Sequence, residues 1–377
     1  MTATIPPLYE LLVGSQAFWK RAQADIAAAR RRVLIQAMTF EGDSAGQAVA
    51  AAIAASGVTD RRVLVDDYTR HVINDTFLAR SHDEALHAEA QATWAMFDRL
   101  ADSGVGLRIT NPVGRNPLRY ALRNHKKLLV MDDAVWLGGI NFSEHNFAWH
   151  DMMLRIAHPG LADWLAAAFE RDWQGERGAA RAAFPGIEIL SVDGSGNAAH
   201  LAPLLDLFAG ARRRIEVISA YPTFPFVSAM AGAARRGVPV TLYTPRPNNK
   251  PIIRDYLLGV AAGSGLEVRL LPEMTHVKAA LIDGEALVAG SSNFDFVSHR
   301  ANAEYVVTLR DAGVIARCEA ELFAPLRAAA VAPGPEDHSP WRSWRARAAL
   351  RTADVLIGLL EPGARIAPWG QDALARR

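Results

Sequence analysis

Two short stretches of this chain carry the same polar residues at the same spacing. In Asn124–Asp132, His125 and Lys127 stand one residue apart, and four apolar residues then lead to Asp132. In Thr275–Asp283 the pattern returns as His276, Lys278 and, after four apolar residues, Asp283. Alternation along an extended chain puts each His and its Lys on one face. The apolar run beyond them reads as a buried strand that ends in a turn. Each copy is followed by small residues and an asparagine: Gly138-Gly139-Ile140-Asn141 in the first, Gly290-Ser291-Ser292-Asn293 in the second.

These residue types suit a phosphodiester attacked without a metal. An imidazole titrates near neutrality, so it serves as nucleophile or as acid for a leaving alkoxide. A lysine lays a fixed cation against the non-bridging oxygens, and an asparagine amide adds a directed donor. Two copies facing each other across a pseudo-twofold axis would surround one phosphorus with two of each. One His would attack to give a phosphohistidine while the other protonates the departing oxygen and then activates the acceptor.

The elements that must position these groups alternate between strand and helix, the pattern of a layered α/β sheet. In the first half a helix over Ala17–Ala29, with Phe18, Ala22 and Ile26 on one face, precedes a strand over Val33–Phe40. Asp43 and Ser44 cap a helix running to Ala55, and strands follow at Val63–Asp67 and Gly106–Thr110 around a long helix, Asp83–Leu100. A basic loop, Asn111–Arg123, leads into the first His-Lys stretch. Met153–Ile156 and Leu161–Trp173 add a strand and a helix. The second half repeats the plan: strands over Ile215–Ala220, Val238–Tyr243, Leu266–Leu271 and Tyr305–Leu309, with helices from Phe226, over Ile252–Ala262 and over Val314–Leu326. An arginine triplet, Arg30–Arg32 or Arg212–Arg214, opens the first strand of each half and reads as a solvated end. The two His residues lie about 150 residues apart, an ordinary domain length, and a tandem duplication accounts for the repeat. Residues 1–180 and 181–334 are the expected lobes, with Gly175–Ala199 as the linker, and residues 335–377 form a Trp/Arg-rich helical tail. That tail reads either as a helix lying in a bilayer interface or as a terminal helix packed on its own domain.

Composition sets the outer bounds. Of 377 residues, 50% are hydrophobic and 21% charged, which describes a folded globular chain. A formal charge of +1 argues against a protein that grips nucleic acid by net charge alone. The one cysteine, Cys318, excludes an internal disulfide and a cysteine-rich zinc site, fits a reducing compartment, and is expected in a helix core. No secretory signal is read at Met1–Ala17 and no run reaches the length of a spanning helix. The expected location is cytoplasmic, peripheral on the inner face of the cell membrane.

His125-x-Lys127-x4-Asp132 and His276-x-Lys278-x4-Asp283 resemble the paired HxKxxxxD motifs of the phospholipase D superfamily, and most closely its bacterial cardiolipin synthase branch. Trp149-His150-Asp151, Ser219-Ala220-Tyr221 and Asn302-Ala303-Glu304 extend the likeness over about Leu12 to Leu326. The resemblance implies two tandem phospholipase D-like α/β lobes related by pseudo-twofold symmetry, with mixed sheets flanked by helices. It implies His125 and His276 as nucleophile and general acid/base, family practice favouring the first. Lys127, Lys278, Asn141 and Asn293, with Ser291 and Gly139, would bind the phosphate. Asp151 and Glu304 would accept a hydrogen bond from an imidazole and fix its tautomer, and Asp132 and Asp283 would anchor turns. The first copy has five residues between Asp132 and Gly138 where the second has six before Gly290, and Gly139 where the second has Ser291.

The expected substrate is a glycerophospholipid, with no cofactor and no metal. The alternative is a metal-independent nuclease of the same mechanism, and a third reading is an idle scaffold that binds phosphate-bearing surfaces. His145 and His150 read as surface or substrate contacts, His82 and His87 as solvated, and Tyr68 and Tyr221 as pocket or core residues.

Overall fold

The computed structural model describes residues 9–113, 120–360 and 366–368. The parts of the expected loop and tail beyond those bounds lie outside the described residues. In chain order the first part runs β1 (Tyr9–Val13), α1 (Ser15–Ala28), β2 (Arg32–Ala37), α2 (Ser44–Ala55), β3 (Asp60–Asp66), the hairpin β4 (Val72–Ile73) and β5 (Thr76–Phe77), and α3 (Glu84–Asp102). Then come β6 (Gly106–Thr110), β7 (Leu128–Met131), β8 (Ala134–Gly138), α4 (Glu144–Ala148), β9 (Met152–Ala157) and α5 (Pro159–Gln174). The second part runs β10 (Ala180–Phe184), β11 (Ile187–Asp193), α6 (Asn197–Ala209), β12 (Ile215–Ile218), α7 (Phe226–Arg235), β13 (Val240–Pro245), α8 (Pro251–Ala261) and β14 (Glu267–Leu271). It continues with β15 (Ala279–Ile282), β16 (Ala286–Gly290), α9 (Phe296–Arg300), β17 (Ala303–Leu309), α10 (Ala312–Cys318), α11 (Ala324–Ala329), α12 (Pro340–Gly358) and β18 (Ile366–Pro368).

These elements form two compact units. The first holds the described residues through Ala148, then Met152–Arg177 and β18; the second holds Trp149–Asp151 and the residues from Gly178 through α12. The sheet of the first unit is ordered β1-β9-β8-β7-β2-β3-β6-β18, and that of the second β10-β11-β17-β16-β15-β12-β13-β14. In both, the His-Lys strand sits antiparallel between its own hairpin partner and the strand that follows the arginine triplet. That strand then runs parallel to the next two. Even the register agrees: Val33 pairs with Met131 in the first sheet, and Ile215 with Ile282 in the second. The two mixed α/β sheets flanked by helices are the tandem lobes that the motif pair implies.

Local chemistry explains the main elements. Helix α1 turns Phe18, Ala22 and Ile26 inward at four-residue spacing, and Phe18 meets the edge of the buried Trp136 ring at 5.6 Å. Asp43 caps α2 by accepting from the Gly46 N–H at 2.9 Å. Helix α5 ends where Gly175 takes a left-handed conformation, φ 75°. Each of these core aromatics contributes about 1.5–3 kcal/mol through burial.

Several elements depart from the sequence reading. The stretch expected as a linker instead supplies the hairpin β10–β11 and the start of α6. Its turn is Pro185-Gly186, with Gly186 at φ 73°, and the short side chains of an edge strand hide the alternation. The expected helix over Val314–Leu326 is interrupted by a π turn at Glu319–Phe323. In both copies His and Lys lie just before the ladder rather than within it, since β7 and β15 begin one residue after the Lys. Among the described residues no helix is long and apolar enough to cross a membrane.

Candidate active site

The first unit holds His125, Lys127 and Asn141 nearly out of solvent. The Lys127 ammonium donates to the His125 carbonyl at 2.9 Å, so backbone and side chain of the motif are tied into one piece. Just upstream, the wholly buried Asp66 carboxylate at the end of β3 gathers the approach. It accepts from Arg123 Nη1 at 2.6 Å, from the Asn124 N–H at 2.6 Å, from the Tyr68 N–H at 2.8 Å and from the Asn111 amide at 3.2 Å. Arg123, read from sequence as part of a basic loop, is therefore an internal ion-pair partner. Asn141 accepts from the Thr39 N–H at 3.4 Å and lies beside Asn146.

The alternation that puts His125 and Lys127 on one face sends Lys126 to the other. There it is fully buried against Asp172 of α5, at 2.7 and 2.9 Å. Gln36 donates to the same carboxylate at 2.9 Å. Sequence reasoning missed this pair, although a lysine pointing into the helix layer demands a carboxylate there.

The second unit brings together His276, Lys278, Asn293, Ser291, Glu304 and, from far upstream in the chain, Asp151. The segment Trp149–Asp151 pairs with the second motif: His150 bridges to Thr275, and the His276 N–H donates to the His150 carbonyl at 2.8 Å. This lays the Asp151 carboxylate 2.9 Å from His276 Nδ1. The imidazole lies between the rings of Trp149, centroids 5.5 Å apart, and Tyr221, 6.1 Å. Lys278 donates to the His276 carbonyl at 2.5 Å, the same tie as in the first copy. Burial pulls Lys278 down to about 8, against the opposing pull of Asp151 and Glu304. Glu304 is wholly buried and accepts from Ser298 Oγ at 2.7 Å and from Ser291 Oγ. One end of the Asn293 amide, its Oδ1, has no hydrogen-bond partner among the described residues.

Glycine is compelled at one matching position in each copy. A Cβ on Gly138 would lie 2.3 Å from the Met152 carbonyl oxygen, and one on Gly290 2.2 Å from that of Tyr305. Gly290 also sits at φ 144°. Gly139 and Ser291 follow directly, and each donates its backbone N–H to the neighbouring strand, at 3.4 and 3.0 Å.

Asp132 and Asp283 stand apart from both clusters, in left-handed turns at φ 50° and 58°. Asp132 accepts from the backbone N–H groups of Arg30, Arg31 and Arg32 at 2.8, 2.8 and 3.2 Å. Asp283 accepts from those of Arg212, Arg213 and Arg214 at 3.0, 2.7 and 3.1 Å. The arginine triplets are thus held by their backbones, a role their side-chain chemistry did not announce. Burial alone would raise both carboxylates, but the three donors outweigh it and hold each below its ordinary value of 3.8. A depressed folded pKa means stability that is full above the unfolded value and lost as pH falls through the folded one. Asp132→Asn combined with Asp283→Asn should therefore melt several degrees below the parent at pH 7. The two melting curves should begin to converge below about pH 4 in a thermal scan across pH; a gap independent of pH would remove the carboxylates' role.

The remaining histidines divide. His145 meets Ser143 Oγ at 3.0 Å and Asn146 at 2.7 Å, while Glu41 lies 3.7 Å away. Burial, with neighbouring carboxylates, pushes Glu41 up to about 9, so it stands protonated beside Glu89. His150 meets Thr275 at 3.3 Å, and burial lowers it. His82 and His87 are exposed. Tyr221 is buried and donates to Asn249 at 2.7 Å; Cys318 is buried in α10, where burial pushes its thiol up to about 12.

The fold and the repeated His-Lys sets define an enzyme of the phospholipase D type. A family model described as cardiolipin synthase, PLD-like domain, matches residues 23–173 and 204–324, and the chain belongs to that family. Among curated relatives, cardiolipin synthase B of Salmonella typhi is 26% identical over 338 residues, covering 80% of this chain and 76% of the relative. Cardiolipin synthase A of Pseudomonas aeruginosa is 26% identical over 345 residues, covering 83% and 66%. Among solved structures, phosphatidylserine synthase of Haemophilus influenzae Rd KW20 shares the fold at a TM-score of 0.69 and 16% identity, over 94% of this chain and 95% of that one.

Proposed function

We propose that this enzyme transfers a phosphatidyl group from a glycerophospholipid to an alcohol through a phosphohistidine, in the manner of a cardiolipin synthase. The observation that carries the reading is chemical completeness: each unit buries one His, one Lys tied to that His, and one Asn. His276 is in addition oriented by a carboxylate. The similarity to the two cardiolipin synthases supports a lipid substrate.

In the proposed reaction the imidazole of His125 attacks phosphorus, and the bond from phosphorus to the departing alcohol breaks. His276, protonated at Nε2 with Asp151 on Nδ1, gives its proton to the leaving alkoxide. The now neutral His276 takes the proton of an acceptor hydroxyl, whose oxygen attacks phosphorus and breaks the P–N bond. Lys127, Lys278, Asn141 and Asn293 neutralise and orient the non-bridging oxygens, with Ser291 and Gly139 shaping the loops that carry the two asparagines. Glu304 positions the second loop through Ser291 and Ser298. With phosphatidylglycerol as both donor and acceptor, two molecules yield one cardiolipin and one glycerol.

The test is a mass spectrum of the products formed from vesicles of mixed glycerophospholipids in the presence of chelator. Cardiolipin and glycerol are the expected products. No new phospholipid from any common donor, together with chelator-resistant cleavage of single-stranded DNA, would replace the lipid reading with the nuclease one.

A further inference from the structure

Helix α12 lies outside the matched family region and has a buried side opposite an exposed apolar one. Its inner side, Ser343, Ala346, Leu350 and Asp354, is buried, and Ser343 rests against Gly259 of α8, where a Cβ would come within 2.5 Å. Its outer side leaves Trp341 62%, Trp344 59% and Leu359 77% exposed, with Val355 and Leu356 also bare. The two indoles stack on each other at 5.0 Å and 15°. Such a surface is costly in water and ordinary at a bilayer interface, where tryptophan prefers to lie.

Between these two sides the helix turns Arg347 and Arg351, one turn apart, toward a cavity of about 390 Å³. Arg235 of α7, Tyr256 and Gly259 of α8, and Ser228 complete its main lining. No Asp or Glu lines it, and none of the three arginines has a carboxylate partner among the described residues. Arg351 lies 3.8 Å over the Phe224 ring, which fixes its guanidinium at the rim. Three unpaired guanidiniums around a hydroxyl-lined hollow are a receptor for a phosphate-type anion.

We propose that this cavity binds the phosphate of an anionic phospholipid in a bilayer on which the outer side of α12 rests. The lipid source, rather than free phosphate, is argued from the neighbours: the arginines flank the exposed Trp344 and Val355 on adjacent turns of one helix. A phosphate held there would therefore lie at headgroup depth while the indoles lie among the upper acyl chains. The proposal uses the lipid reading only for the nature of the ligand, and none of these residues belongs to the proposed reaction machinery.

Binding of the full chain to vesicles of phosphatidylcholine, with and without phosphatidylglycerol, tests it by co-sedimentation. The parent should bind the anionic vesicles more tightly, and salt should weaken this. Arg347→Ala with Arg351→Ala should lose about thirty-fold in affinity for them, about fivefold per charge. Lysine at both positions should restore most of the binding. Trp341→Ala with Trp344→Ala should weaken binding to both kinds of vesicle. Circular dichroism and unchanged turnover of a dispersed short-chain lipid would show that the variants fold. Calorimetry with inorganic phosphate separates the sources: phosphate bound at the arginines with no anionic preference for vesicles overturns the lipid assignment. Unaltered vesicle binding by the alanine pair overturns the site. An enzyme that makes cardiolipin yet keeps full vesicle binding in that pair refutes this inference alone. A nuclease whose vesicle binding needs the arginines refutes the other reading alone.

Discussion

Replacing His276 with alanine is expected to lower phosphatidyl transfer by at least about ten-thousandfold, and His125→Ala to do the same. The losses should be of similar size, and the double variant scarcely worse than either, because in the proposed reaction the two imidazoles act together and not in parallel. The single variants should also behave differently before turnover. If His125 forms the covalent bond, His276→Ala retains the nucleophile and should accumulate a trace of acid-labile phosphoenzyme from labelled donor, whereas His125→Ala should give none. Transfer kept above a tenth of the parent rate in either variant would break the mechanism. The reverse labelling pattern would leave the chemistry standing and exchange the two roles.

Asp151→Asn should cost between a hundredfold and ten-thousandfold in kcat, with KM for the lipid nearly unchanged. The carboxylate lies 2.9 Å from His276 Nδ1 and is almost wholly buried. In the proposed reaction it fixes the tautomer of the ring and stabilises the imidazolium. An amide of the same shape keeps the packing but can turn its NH2 to Nδ1, which selects the wrong tautomer. The pH profile is a readout that a packing defect would not move: its alkaline limb should shift downward as the imidazolium of His276, the acid for the leaving alkoxide, loses its carboxylate. Lys278 adds to that shift, since Asp151 also opposes the burial that pulls its ammonium down to about 8. Glutamate at 151, or a mere loss of melting temperature with kcat intact, distinguishes positioning from stability.

How far the sequence alone reached depends on whether a residue's partner is near it in the chain. The duplicated motif, the Phe18–Ala22–Ile26 stripe and the Asp43 cap are local patterns, and each was legible. The partners of single polar groups were not legible. That Asp151 serves His276 depends on a pairing between His150 and Thr275 across 125 positions. That Asp66 gathers the residues ahead of His125 depends on the close of β3, and the Lys126–Asp172 pair on the packing of α5. The hairpin β10–β11 escaped because an edge strand of alanines carries little periodic signal, though its Pro-Gly turn was visible.

The exchange of short segments has a consequence for dividing the chain. A fragment beginning at Gly178 would retain His276 and Lys278 but lack the carboxylate and the bridging strand that arrive with Trp149–Asp151. One ending at Arg177 would lack β18, which closes the edge of its sheet along Arg108–Thr110. A cut between Arg177 and Gly178 therefore strips each unit of a segment that the other stretch of chain carries.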